Sequence, residues 1–295
     1  MDPTLVAAGL GVFIGLMMAL TGAGGGILSV PLLVFALGLP MVDAAPVSMI
    51  AIALSAGLGA LLALRAGILR YRAAGVMGLA GLLFSPLGVW LAHRLPNRPL
   101  TMGFALVLAY VGLRTFWSLW RERADATARL AARHAAGDSQ GESESVATAP
   151  ELPPRPHRPP CCLDPADGRL RWTAPCARAL LVTGMGAGFL SGLLGVGGGF
   201  VIVPSLGRVT DLEMRSIVAT SLGVLTIVAL AGLAASAFIA PVRWSVAVPF
   251  ATGALAGMLM GRGMANRFSG PRLQGLFACL ALMVACGLAV RAAQG

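Results

Sequence analysis

Two glycine-rich stretches decide the fold: TGAGGGILSVP at residues 21–31 and LGVGGGFVIVP at residues 194–204. In both, the last of three consecutive glycines stands five residues before a proline. Glycine widens the range of backbone conformations and proline removes an N–H donor, so each stretch predicts a break in a helix. Because the same spacing occurs twice, glycine-rich composition alone does not explain it. The two stretches therefore indicate an internal repeat.

A shift of 173 residues aligns the two halves of the chain without a gap over roughly a hundred positions. The matches extend well beyond the glycine stretches. They include Gly11 with Gly184, Gly15 with Gly188, Ser48 with Ser221, Gly59 with Gly232, Arg70 with Arg243 and Phe104 with Phe277. We therefore expect two halves with the same local structure.

The composition predicts an integral membrane protein. Apolar residues make up 57% of the 295 residues and charged residues 12%, against about 45–50% and 25% in soluble domains. The mean hydropathy is +0.82. Both glycine stretches lack the final glycine of the dinucleotide-binding motif G-x-G-x-x-G, which excludes that class of soluble enzyme. We expect no enzyme activity, catalytic residue, metal, cofactor or nucleic-acid partner.

Six apolar segments of about 20 residues are each long enough to cross a bilayer as a helix. They cover residues 44–64, 73–92, 99–120, 217–240, 245–265 and 272–293. Four shorter segments flank the glycines, at 5–20, 27–39, 179–194 and 200–208, and we expect none of these to span alone. The predicted fold class is an all-α polytopic membrane protein. It contains two inverted repeats, each a glycine-rich broken-helix hairpin plus three transmembrane helices.

The chain divides into three parts: transmembrane repeat 1 at 1–120, a cytoplasmic proline-rich linker at 121–178, and transmembrane repeat 2 at 179–295. The linker is rich in proline and charge and predicts a largely disordered segment, although its alanine-rich start at 121–136 can extend the preceding helix. The five cysteines show no regular spacing, so we do not expect a disulfide framework. A metal site at His157, Cys161, Cys162 and Cys176 is a minority interpretation.

The arginines favour one of two membrane topologies, because cytoplasmic loops collect basic residues. If each glycine hairpin enters the bilayer and returns to the same face, the halves are inverted and the arginines divide 17 to 4 between the faces. If each hairpin crosses once, the halves are parallel and the division is 14 to 7. The inverted arrangement is favoured. It predicts a bacterial-type inner-membrane protein with a cytoplasmic linker and periplasmic termini.

The glycine runs predict a binding site for an anion. Bare backbone N–H groups at a helix start, with the positive end of the helix dipole, attract negative charge. Broken helices in matching halves mark transporter sites near the bilayer midplane. We expect both glycine runs to line a cavity there, with hydroxyl donors from Thr21, Ser29, Ser48, Thr220 and Ser221. All twelve acids lie in loops, chain ends or the linker, which argues against a cation channel.

Three segments carry a resemblance to a known family: GLMMALTGAGGGILSVPLLVFALGLP at 15–40, GFLSGLLGVGGGFVIVPSL at 188–206 and ATSL at 219–222. With both apolar halves, they resemble the TauE/SafE family of sulfite exporters. The resemblance implies transport of sulfite, sulfonates or related organosulfur anions across the inner membrane. It also implies a set of binding-loop residues. These are Gly22, Gly24, Gly25, Gly26, Pro31, Gly195, Gly197, Gly198, Gly199, Pro204, Thr220 and Ser221.

The sequence thus predicts a secondary transporter for a small organosulfur anion, working by alternating access between inverted repeats in a lipid bilayer, with an ion that could couple to transport. Two alternatives stay open. One is a passive anion channel. The other is a non-transporting membrane scaffold or sensor that acts through the linker, with the glycines serving only close helix packing.

Overall fold

A computed structural model describes residues 3–21, 25–137, 161, 173–239, 242–264 and 270–294. The described residues form helices and no β-strand, as expected for an all-α fold. The helices are α1 (Pro3–Thr21), α2 (Ser29–Leu37), α3 (Met41–Arg65), α4 (Tyr71–Arg94), α5 (Asn97–Gly137), α6 (Ala174–Leu194), α7 (Gly199–Val209), α8 (Met214–Ala237), α9 (Trp244–Met264) and α10 (Gly270–Gln294). A 3₁₀ turn, Gly25–Leu28, precedes α2. Most of the linker, as well as Gly22 and Gly24, lies outside the described residues.

Seven helical segments in the described ranges are long and apolar enough to cross a membrane: α1, α3, α4, Arg98–Trp117 of α5, α6, α8 and α9. In α10 the qualifying apolar stretch is shorter, Ala278–Val290. The expectation that the segments before the glycines are too short to span is wrong, since α1 has 19 residues and α6 has 21. Thr173 caps α6 by accepting the N–H of Cys176, which starts the helix before its apolar segment. Helices α2 and α7 remain short.

In each outer helix pair, a helix of one half packs against a helix of the other half. Helix α1 packs along α9, where a Cβ on Gly11 would lie 3.0 Å from the Phe250 carbonyl carbon. Helix α6 packs along α4, where a Cβ on Gly184 would lie 3.0 Å from the Met77 carbonyl carbon. The two contacts correspond under the 173-residue offset. Glycine at these positions lets the helix backbones approach closely, as in many membrane helix pairs.

The centre of the molecule is the pair α3 and α8. Gly57 faces Thr226, with 3.3 Å between an added Cβ and the threonine Cγ2. Towards the start of α3, Met49 lies against Gly232, with 2.9 Å between Sδ and an added Cβ. Towards the end of α3, a Cβ added to Gly59 would lie 3.0 Å from Cδ1 of Leu222. Residue numbers rise along α3 while they fall along α8, so these equivalent helices run antiparallel.

The α4–α6 contact supplies a stability prediction. A Cβ on Gly188 would lie 2.7 Å from the carbonyl carbon of Gly81, whereas a Cβ on Gly186 of the same helix would have no atom within 4 Å. Gly188→Val forces the backbones apart, and overpacking of this kind costs about 1–3 kcal/mol. We expect a lower thermal unfolding midpoint in detergent for Gly188→Val than for the control Gly186→Val. Equal midpoints would refute this packing.

Candidate functional site

The described parts of the two helix breaks meet between the halves of the protein. A Cβ on Gly26 would lie 3.0 Å from the carbonyl oxygen of Val196 and 3.3 Å from Cδ1 of Ile52. A Cβ on Gly197 would lie 3.1 Å from Cγ2 of Ile52 and 2.6 Å from Cδ2 of Leu225. Ile52 and Leu225 are equivalent residues, fully buried near the middle of α3 and α8. The breaks are therefore level with the middle of the central helices.

The second break depends on glycine for its backbone conformation. Gly195, Gly197 and Gly198 have φ of 72°, 77° and 69°, in the left-handed region that residues with a side chain rarely adopt. Gly195 ends α6, and its N–H donates to the carbonyl of Ser191 at 2.8 Å. Its Cα also approaches α3, since an added Cβ would lie 2.7 Å from Cα of Ala45. Glycine is thus required here by both conformation and space.

Neither short helix has a side-chain cap at its start. Helix α2 follows Leu28, and α7 follows Gly198, and neither residue offers a side-chain hydrogen bond to the first N–H groups. Helix α7 begins at Gly199, one residue before the predicted start at Phe200, whereas the 3₁₀ turn delays α2 past Ile27. Uncapped N–H groups and the positive helix end are the elements of an anion site. Both starts are buried.

Ser48 connects the first half to the second break. It is fully buried on α3, and its hydroxyl donates to the carbonyl of Gly195, with the carbonyl of Ala45 as a second acceptor at 2.9 Å. A hydroxyl has one proton, so these carbonyls compete for it. In this arrangement Ser48 holds the two halves together at the break.

The other predicted hydroxyls differ in whether their proton is already donated in a hydrogen bond. Thr21, Ser29 and Ser221 each donate to a carbonyl of their own segment, at 2.7, 2.6 and 2.8 Å. Thr220 instead accepts the backbone N–H of Arg70 at 3.3 Å, and its own proton has no acceptor among the described residues. Of the predicted hydroxyls, Thr220 alone retains a donor in the described part of the chain.

The remaining predicted residues occupy the hairpins themselves. Gly25 packs on α1, where an added Cβ would lie 2.9 Å from the Met17 carbonyl carbon. Pro31 is buried on α2, Pro204 is half-buried on α7, and Gly199 is the buried first residue of α7. Gly22 and Gly24 fall outside the described residues. The structure thus brings Gly26, Ser48, Gly195 and Gly197 together and places Thr220 beside Arg70.

Three polar residues were not selected by the sequence argument. Ser191 Oγ, Arg70 Nε and His93 Nε2 are buried and have no hydrogen-bond partner among the described residues. His93 lines a small cavity between the halves, and no predicted site residue lines this cavity. Ser191 could have been selected, because it stands one helical turn before Gly195 in the quoted stretch 188–206. Arg70 is marked in the sequence only by its match with Arg243 under the 173-residue offset, and His93 carries no signal of either kind.

The cysteines correct another expectation. Cys161 and Cys176 form a disulfide with 4.9 Å between the Cα atoms, although the spacing gave no reason to expect one. The Cys161 N–H donates to the Val209 carbonyl at 3.1 Å, which brings the end of the linker back onto α7. The contact of Cys161 with Val209, and not the spacing of the two cysteines in the sequence, brings the two thiols together. It also removes both from the metal site considered above, whose other members, His157 and Cys162, lie outside the described residues.

Comparison with known proteins covers almost the whole chain. The family model described as "Sulfite exporter TauE/SafE" matches residues 7–288. A "probable membrane transporter protein" of Xylella fastidiosa strain 9a5c is 28% identical over 285 residues, which cover 95% of this chain and 93% of that protein. A protein of the same description from strain Temecula1 is 26% identical over 284 residues, with the same coverage. No solved structure matches significantly.

Proposed function

Because the chain belongs to the TauE/SafE sulfite exporter family, we propose that it carries sulfite, a sulfonate or a related small organosulfur anion across the inner membrane. At the coarser level the protein is a multi-pass membrane transporter and not an enzyme. The observation that carries the proposal is the meeting of Gly26, Val196 and Gly197 between the two halves, beside two uncapped helix starts.

The chemistry of this meeting point suits an oxyanion. N–H groups at the start of the 3₁₀ turn that leads into α2, and at the start of α7, can donate to the oxygens of sulfite or a sulfonate, and both helix dipoles favour negative charge. Their surroundings are apolar, with Ile52 and Leu225 fully buried beside them. A low dielectric strengthens each such hydrogen bond. No carboxylate among the described residues lies at this point to repel an anion.

The packing supports alternating access between inverted repeats. Equivalent helices α3 and α8 run antiparallel, so if both span the bilayer they begin at opposite faces. The first hairpin then opens towards one face and the second towards the other, as in transporters built from inverted repeats. The packing of these outer pairs also defines the moving bodies: α1 moves with α9, and α4 moves with α6. Each moving body therefore contains one helix from the repeat at 1–120 and one helix from the repeat at 179–295.

The orientation in the membrane rests on the arginines. The 17 to 4 division places the linker at 121–178 in the cytoplasm and the termini in the periplasm. The Cys161–Cys176 bond opposes this orientation, because disulfides persist in oxidising compartments. The arginines favour this orientation nonetheless, because eight of the 17 lie outside the linker.

The test is uptake of labelled sulfite by proteoliposomes that contain the purified protein. A carrier gives saturable uptake that responds to an imposed proton or sodium gradient, which would also identify a coupling ion. Linear, non-saturating flux would indicate a passive channel. Absence of flux for sulfite, thiosulfate, sulfoacetate and taurine would overturn the proposal and favour a scaffold or sensor, a role that deletion of residues 141–160 would then test.

A further inference from the structure

An ion pair joins the two halves at one end of the central helices. Arg243, just before α9, lies 3.0 Å from the carboxylate of Asp43 in the first turn of α3. Under the 173-residue offset, Arg243 corresponds to Arg70 and Asp43 to Ser216. The equivalent position in the other half therefore keeps the arginine and lacks the acid.

Arg70 occupies the corresponding place at the other end of the central pair. It directly precedes α4, and its N–H donates to the hydroxyl of Thr220 on α8. Ser216, which is 9% exposed, stands one helical turn before Thr220 on the same face of α8. Because α3 and α8 are antiparallel, the start of α8 lies at the opposite end from the Asp43–Arg243 pair.

The Arg70 guanidinium lacks the partner that its counterpart has. Its Nε is buried without a hydrogen bond, and no carboxylate in the described part of the chain pairs with it. Arg70 as a whole is half-buried, so the free-energy cost of an unpaired buried donor applies to its Nε. The adjacent Thr220 hydroxyl also has a proton without an acceptor. Arg70 and Thr220 are thus neighbours at the place whose counterpart in the other half holds the Asp43 carboxylate.

We propose that Arg70 and Thr220 bind the transported oxyanion at this end of the central helices, where the anion takes the place that the Asp43 carboxylate holds in the other half. The inference rests on the proposed function and adds a second contact, separate from the glycine breaks. A guanidinium binds sulfite or sulfonate oxygens through charge-assisted hydrogen bonds. This end lies on the arginine-rich face, so the subsite receives anion from the cytoplasm. The opposite end is already neutralised by Asp43.

The test introduces the missing acid. Ser216→Asp places a carboxylate beside Arg70 and competes with the substrate, while Ser216→Asn changes the size of the side chain without adding charge. In labelled-sulfite uptake by proteoliposomes, we expect the KM of Ser216→Asp to be at least about tenfold that of Ser216→Asn. We also expect the KM of Arg70→Gln to be at least about tenfold that of Arg70→Lys.

The outcomes separate the inference from the proposed function. If the unaltered protein carries no anion, the proposed function fails. If it does carry sulfite, and each pair of variants gives equal KM values, the function stands and the Arg70 subsite is overturned. If Ser216→Asp shows no flux, its thermal unfolding midpoint is compared with that of Ser216→Asn. An equal or higher midpoint shows a folded protein with an occupied subsite and supports the inference; with a lower midpoint, the Arg70→Gln and Arg70→Lys comparison decides.

Discussion

Gly198→Leu is expected to abolish sulfite flux while the chain still inserts into the membrane. Gly198 has φ of 69°, where a leucine backbone is strained. An added Cβ would also collide with the carbonyl of Ala187 on α6, with the carbonyl carbon only 3.0 Å away. Because the Cβ would collide with backbone atoms, which cannot rotate away as a side chain can, the start of α7 must move. Displacement of about 1 Å at a binding site can cost a factor of about 100 in rate, so we expect at least that loss.

The measurement is sulfite uptake at equal protein density, with membrane insertion checked by extraction and immunoblotting. Gly186→Leu is the matched control, because an added Cβ at Gly186 on α6 meets no atom within 4 Å. Gly25→Leu should lose flux as Gly198→Leu does, since its Cβ would lie 2.9 Å from the Met17 carbonyl carbon. Transport at the control rate by both Gly25→Leu and Gly198→Leu would refute the assignment of these breaks to the site.

Substitution of Gly26 is expected to give a graded loss of transport. Gly26 does not have a positive φ, so alanine and valine meet no conformational barrier there. The obstacle is the other half of the protein, because an added Cβ lies 3.0 Å from the Val196 carbonyl oxygen. Alanine must push the two breaks slightly apart, and valine must separate them further. We expect a loss of about tenfold for Gly26→Ala, equivalent to about 1.4 kcal/mol, and undetectable flux for Gly26→Val.

The control for this series is Gly9→Ala and Gly9→Val, at a position on α1 where an added Cβ meets no atom within 4 Å. Uptake of labelled sulfite is compared across the four variants, with thermal unfolding to confirm that each is folded. A folded Gly26→Val protein that carries sulfite as well as Gly9→Val does would show that the contact between the breaks has no part in transport.

Much of the architecture could be predicted from the sequence, because it follows from local rules. Hydropathy located α3, α4, α5, α8 and α9, and the glycine–proline spacing located both helix breaks. The start of α6 was missed because Thr173 caps the helix before its apolar segment begins. Helix length therefore depended on a polar residue that hydropathy does not register.

The pairing of helices and the orientation of hydroxyls could not be predicted, because both depend on long-range contacts. Gly11 indicates a close helix neighbour, but nothing near it in the chain identifies Phe250. Ser29 is a suitable donor by residue type, yet its proton goes to the Gly26 carbonyl. Ser48 meets Gly195 only because α3 crosses the second break. Side-chain chemistry was thus predictable, whereas the partner of each side chain was not.

We expect the equivalent hairpins to enter the bilayer from opposite faces and to meet inside it. Pro40 and Glu213 test it, since they correspond under the 173-residue offset, are both exposed, and directly precede α3 and α8. Each is changed to cysteine in a variant whose Cys162, Cys279 and Cys286 are serine, and intact cells with a permeabilised outer membrane are treated with a membrane-impermeant maleimide. We expect Pro40→Cys to be labelled from outside and Glu213→Cys to be labelled only after the inner membrane is opened. Labelling of both cysteines from the same face would contradict it.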